Sequence, residues 1–178
     1  MIIMGVDLGF KTSPTAISIL RTVENSNVVK IVALFKFGPF LAYNSSTKVD
    51  NIFGRTMVLE SITNLAQLYE PYSIVIEKPM FRGKNNENFL RFFGSFELTM
   101  LKLRYYQFKR YFYLAPTSVK KKLGHGKLEK DAMAEACKAY LDKCSKIKLT
   151  KAIKSEDWDV TDSVAIGIAG LMDMGKIT

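Results

Sequence analysis

MIIMGVDLGF, residues 1–10, is an apolar run carrying the β-branched Ile2, Ile3 and Val6 and stopped by Asp7-Leu8-Gly9. A run of this kind without alternation, bounded by a turn signal, reads as a buried central strand. Working outward, Thr15 to Leu20 and Val28 to Phe37 are two further strands separated by the turn-rich Glu24-Asn25-Ser26-Asn27, which makes an antiparallel meander of three. From Val49 to Tyr69 the apolar positions Ile52, Phe53, Met57, Leu59, Ile62, Leu65 and Leu68 recur at helical spacing until Glu70-Pro71. Ser73 to Ile76 is a short β-branched strand ending in Glu77, broken by Lys78-Pro79.

Asn88 to Phe108 carries Phe89, Phe92, Phe93, Phe96, Met100, Leu101, Leu103 and Tyr105 almost all round, predicting a helix buried on more than one side, in part as a dimer face. Tyr111 to Leu114 is a fifth strand, followed by Ala115-Pro116 and a short helix that Thr117 or Ser118 is expected to cap. Gly124-His125-Gly126 interrupts it, Lys130 to Leu141 reads as another helix, and Thr161 to Met174 as the last. The order implies an α/β layer: a five-stranded mixed sheet of three antiparallel strands feeding parallel ones, flanked by helices.

With 178 residues and 48% hydrophobic content, one compact domain spanning 1–178 is expected. The 26 Lys and Arg against 17 Asp and Glu leave a net charge of +9, which favours a polyanionic partner, nucleic acid or an anionic surface. No apolar run approaches the roughly 18 residues that cross a bilayer, and no signal-peptide pattern is present, so a soluble, cytoplasmic protein without a membrane partner is expected. Cys137 and Cys144 read as small hydrophobes in one helix rather than a disulfide framework or metal ligands.

Four acidic residues sit where apolar elements begin or end: Asp7, Glu77, and Asp159 with Asp162 in DWDVTDSVAIGIAG. A carboxylate at the end of a buried strand needs a donor or a cation, because leaving it bare costs several kcal/mol. Asp159 and Asp162 point the same way if a helix begins near 159, and Ala165, Gly167, Ala169 and Gly170 let that helix lie close against a sheet. Carboxylates of this kind suit two hard cations about 4 Å apart, magnesium or manganese, which activate a water against a phosphodiester. From spacing alone, Asp159 serves equally well as an N-cap and Asp162 as a first-turn residue complementing the helix dipole.

GVDLG at 5–9, IVIEKPMFRGKNNENFLRFFGSFE at 74–97, PTSVKKKLGHGKLEK at 116–130 and DVTDSVAIGIAG at 159–170 together resemble the successive motifs of the RuvC family of Holliday junction resolvases, in order and spacing, over nearly the whole chain. The resemblance implies an RNase H-like fold, a homodimer, and a magnesium-dependent endodeoxyribonuclease, with manganese able to substitute, that nicks two strands symmetrically at a four-way DNA junction. It places Asp7, Glu77, Asp159 and Asp162 on the family's metal-binding positions, with two ions per site. It matches Lys120 and Lys130 to basic residues expected on scissile-strand phosphates, Lys130 stabilising charge on the phosphate. The family's usual aromatic three residues after its Glu is replaced by Met80, with Phe81 next. The divergence of the remainder suggests a phage-type member, acting in the host cytoplasm.

Around these, Arg82, Lys84, Lys120 and Lys127 read as phosphate clamps, and Met80 and Phe81 as contacts to an unstacked junction base. Lys121 and Lys122 read as a solvated run, because neighbours on a helix do not all face one groove. His125 reads as loop filler rather than catalyst, and Trp158 as a staple over a helix start. Two rival readings stand beside the first: a protein that holds branched DNA without cutting it, and an RNase H-like nuclease acting on RNA.

Overall fold

The computed structural model describes residues 1–9, 14–23, 28–38, 48–78, 87–106, 110–124, 132–133, 135–137 and 158–177, with backbone alone for 48–55, 87–92 and 104–106. Its elements run β1 (Ile2–Asp7), β2 (Thr15–Thr22), β3 (Val29–Phe37), α1 (Lys48–Tyr69), β4 (Ser73–Glu77), α2 (Glu87–Tyr106), β5 (Arg110–Leu114), α3 (Pro116–Leu123) and α4 (Trp158–Asp173). The helix expected over 130–141 lies largely outside the described residues.

The strands form one sheet in the order β3-β2-β1-β4-β5. β1 is central, as its unbroken apolar run requires. It pairs antiparallel with β2 and parallel with β4, while β2–β3 is antiparallel and β4–β5 parallel. The mixed sheet expected from the element order is therefore present. Between Ile19 and Leu20 the β2–β3 register slips past Val32, a bulge on the edge strand.

Side-chain alternation sorts the core onto two faces. Ile3, Leu20, Val75 and Leu114 point to one side, where they pack with Val119 of α3 and the buried stripe of α4. Met4, Val6, Ile17, Ile19, Ile74 and Ile76 point to the other, against Ile62, Leu65 and Ala66 of α1 and Phe96, Met100 and Leu103 of α2. Each fully buried aliphatic side chain contributes about 1.5–3 kcal/mol, so the two clusters clamp the sheet between helical layers.

α4 lies unusually close to the sheet because it presents backbone rather than side chains. A Cβ on Gly5 would meet Ser163 O at 2.2 Å, and one on Gly170 would meet Val75 Cγ2 at 2.4 Å. Ser18 Oγ donates to Ser163 O at 2.8 Å, a buried bond stitching β2 to α4. Ser18→Ala is expected to cost about 1 kcal/mol, read as a lower urea midpoint at unchanged m-value. An unchanged midpoint would show that α4 is held by packing alone.

Three local expectations are corrected. α3 is not capped by Thr117 or Ser118: it begins at Pro116, its N-cap is Ala115 with no side-chain bond, and the Ala115 carbonyl accepts from Ser118 N and Val119 N. Proline preorganises the first helical position and forces Ala115 into extended backbone, so the helix starts before either hydroxyl residue. Among the described side chains of α2, Phe96, Met100 and Leu103 form the buried stripe, and much of the aromatic set, Phe89, Phe92 and Tyr105, lies outside the described side chains. Leu98 and Leu101, 62% and 50% exposed, lie on the side of α2 away from α1 and the sheet. Trp158 is the first residue of α4 and 42% exposed, so it does not staple the helix from outside.

Candidate metal and phosphate site

Asp7 ends β1 and Glu77 ends β4. These strands are parallel with Val6 abreast of Ile76, so Asp7 and Glu77 stand side by side on strands about 4.8 Å apart. Gly5 and Val75, two residues earlier, both meet α4, so the two carboxylates leave the sheet on that face. The row continues across the sheet: Asp7 is opposite Ala16, Ala16 is opposite Lys36, and Glu77 is opposite Leu114. Lys36, Ala16, Asp7, Glu77 and Leu114 thus form one line along the sheet end, facing the start of α4.

α4 brings Asp159 in its first turn and Asp162 just beyond. Negative charge is favourable at a helix N-terminus, which steadies both. Their surroundings differ. Asp159 Oδ2 lies 3.1 Å from Lys36 Nζ. Asp162 sits near Glu77: burial first, and then the Asp162 charge, push the Glu77 carboxyl up to about 7, with Lys120 of α3 pulling the other way. Asp162 also helps burial push the Cys137 thiol up to about 12, and Cys137 Sγ donates weakly to Thr161 O at 3.9 Å. Cys137 is therefore an inert core group, as its composition-level reading expected.

The structure accordingly sets the backbones of Asp7 and Glu77 side by side at one sheet end, brings Asp162 and Lys120 near Glu77, and pairs Asp159 with Lys36 of β3. Among the described residues, no three His, Cys, Asp or Glu side chains converge closely enough to hold an ion. Lys130, Lys127, Arg82, Lys84, Phe81, Met80 and His125 lie outside the described residues. Lys122 pairs with Asp173 at 2.5 Å and Lys121 is exposed, so both stay off this face. The residue that sequence reading missed is Lys36. Its signal was the charged position inside FKF of a strand whose register runs to Asp7.

The raised Glu77 carboxyl has a consequence for stability. Between pH 4.5 and about 7 the folded chain holds a proton that the unfolded chain has released, so this group's contribution is full below 4.5 and lost as pH rises through about 7. Glu77→Gln is expected to remove that loss: urea midpoints of variant and wild type should diverge as pH rises from 5 to 8, the variant being the more stable at pH 8. Parallel profiles would contradict the assigned environment of Glu77.

A five-stranded 3-2-1-4-5 sheet with its antiparallel meander leading into parallel strands, and helices on both faces, is an RNase H-like fold. The chain superposes on Thermus thermophilus RuvC in complex with a Holliday junction substrate with a TM-score of 0.69, over 99% of this chain and 97% of that one, at 16% identity. The yeast mitochondrial Holliday junction resolvase gives 0.67 over 98% and 79%, at 16% identity. Fowlpox virus resolvase with its substrate junction DNA gives 0.55 over 98% and 99%, at 18% identity. No protein-family model and no curated protein sequence matches the chain.

No helix among the described residues is long and apolar enough to cross a membrane.

Proposed function

We propose that the chain is a divalent-metal-dependent, structure-selective endonuclease that resolves four-way DNA junctions, and related branched DNA, by paired nicks. The observation that carries this is the pairing of Glu77 with Asp162 beside Asp7. A carboxyl that burial first, and a neighbouring carboxylate second, push up to about 7 is costly to ionise unless a cation shares it. An all-oxygen donor set fits magnesium or manganese. Asp7, Glu77, Asp162 and Asp159 would hold two such ions, which supply Lewis acidity toward a phosphodiester and toward the attacking water.

The chain's own groups do the rest. The carboxylates orient the attacking water by accepting its hydrogen bonds. Lys120, which already offsets the charge at Glu77, offers its ammonium to a scissile-strand phosphate, and Lys130 does the same from the following segment. The net charge of +9 draws the polyanion in, with Arg82, Lys84 and Lys127 on phosphates and Met80 and Phe81 at the junction centre. A homodimer would present two such sites, one per nick, and exposed Leu98 and Leu101 of α2 offer apolar surface for the second copy.

One observation favours a second reading, a protein that holds branched DNA without cutting it: among the described residues no three acids converge. Incubating a labelled mobile four-way junction with magnesium, with and without chelator, separates the two. Chelator-sensitive paired nicks support the nuclease. Uncut junction at a protein concentration that visibly shifts it supports the binder.

A further inference from the structure

Lys36 is the cation that the assembled site did not require. It sits on β3 directly opposite Ala16, which is directly opposite Asp7, so it shares the face and the row of the strand-end carboxylates. Two inter-strand spacings separate it from Asp7, about 10 Å, and a lysine spans much of that gap only if the residue between is small. Ala16 is that residue, presenting a methyl where a longer side chain would bar the way. The ammonium ends 3.1 Å from Asp159 Oδ2, with the two side chains only 38% and 33% exposed.

From this arrangement we infer that Lys36 is a positioning residue that competes with divalent cations for Asp159, setting the cation concentration at which the site fills. The inference rests on the nuclease reading above, because it takes Asp159 to be a ligand. Its physical basis is simple. A carboxylate oxygen held at 3.1 Å by an ammonium cannot be approached by a divalent cation without strong like-charge repulsion. Loading therefore requires the Lys36 side chain to swing away, and the ion pair's free energy is subtracted from that of cation binding. A partly exposed pair is worth at most about 1 kcal/mol, which corresponds to roughly fivefold in affinity.

Lys36 differs in this from Lys120. Lys120 offsets the charge at Glu77 from α3, whereas Lys36 engages Asp159 from β3.

Manganese affinity of the full chain, measured by titration calorimetry without DNA, tests this independently of cutting. Lys36→Met should bind manganese up to about fivefold more tightly than wild type. Lys36→Arg, which keeps an ion pair, should return toward wild type, and Lys30→Met, which removes an equal charge from an exposed position of the same strand, should not tighten binding. In an Asp159→Asn background Lys36→Met should have no effect. Should Lys36→Met fold poorly by circular dichroism, Lys36→Gln carries the same expectation. If wild type binds manganese and neither Lys36 variant binds it more tightly, the competition is overturned while the nuclease reading stands. If neither wild type nor any Lys36 variant binds manganese, both fall. Binding by Lys36→Met alone supports the competition in its strongest form.

Discussion

Asp7→Asn is expected to abolish cleavage of a labelled four-way junction while junction binding stays intact or tightens. Asp7 ends the central strand, beside Glu77 and on the face of α4, and in the proposed function it is a ligand of the cations at this sheet end. Removing a ligand that contributes several kcal/mol of transition-state stabilisation lowers the rate by roughly a thousandfold or more. Asparagine has the same shape, so the strand and the core beneath it are untouched. The substitution also removes a negative charge from the surface proposed to face DNA, in a protein carrying +9, which is why binding is expected not to weaken. Gel-shift and cleavage assays on one preparation check both halves. A variant that cuts normally, or that unfolds or fails to bind, would sink the assignment of Asp7.

Gly5→Ala is expected to be the most damaging change outside the acidic residues. The new Cβ would fall 2.2 Å from Ser163 O, 2.8 Å from Gly167 N and 2.8 Å from Ser18 Oγ. Two of those atoms are backbone and cannot rotate away, so α4 must lift from the sheet. Overpacking a tight core contact costs about 3 kcal/mol, which in a domain of this size lowers the melting temperature by about 6–12 °C. The helix that lifts is the one carrying Asp159 and Asp162, so activity should fall further than stability alone explains. Gly94→Ala is the control with opposite sign. A Cβ there meets nothing within 4 Å on the exposed side of α2, and alanine in a helix is worth up to about 1 kcal/mol over glycine. Thermal melts of the two variants side by side test the contrast. Equal, small shifts would show that α4 has room to move.

The fold was legible because each apolar run ends in a residue that cannot continue it. Asp7 stops β1, Glu77 stops β4, and the pair Glu70-Pro71 ends α1, where Glu70 takes a left-handed conformation with φ 44°. The glycines of the last helix signalled close packing, and Gly170 against Val75 is the result. The location of the acidic residues was also readable, since strand ends in a parallel pair fall together whatever the details. What the sequence hid were relations between elements. The side-chain direction of Asp159 depends on which strand lies under the first turn of α4, and only the β1–β2–β3 register brings Lys36 there. Likewise, Glu97 of α2 accepts hydrogen bonds from Tyr111, at 3.0 Å, and from Tyr113 of β5. This polar tie fastens α2 to β5, and no periodicity announces it. The phenol of Tyr113 is held well above its usual range by burial and by that carboxylate.

Anomalous diffraction from a crystal soaked in manganese tests the central claim most directly. The expected result is density between the ends of β1 and β4 and the first turn of α4, ligated by Asp7, Glu77 and Asp162, with Asp159 released from Lys36. Manganese bound elsewhere, or a sheet end that takes up none while Asp159 stays paired with Lys36, would contradict it.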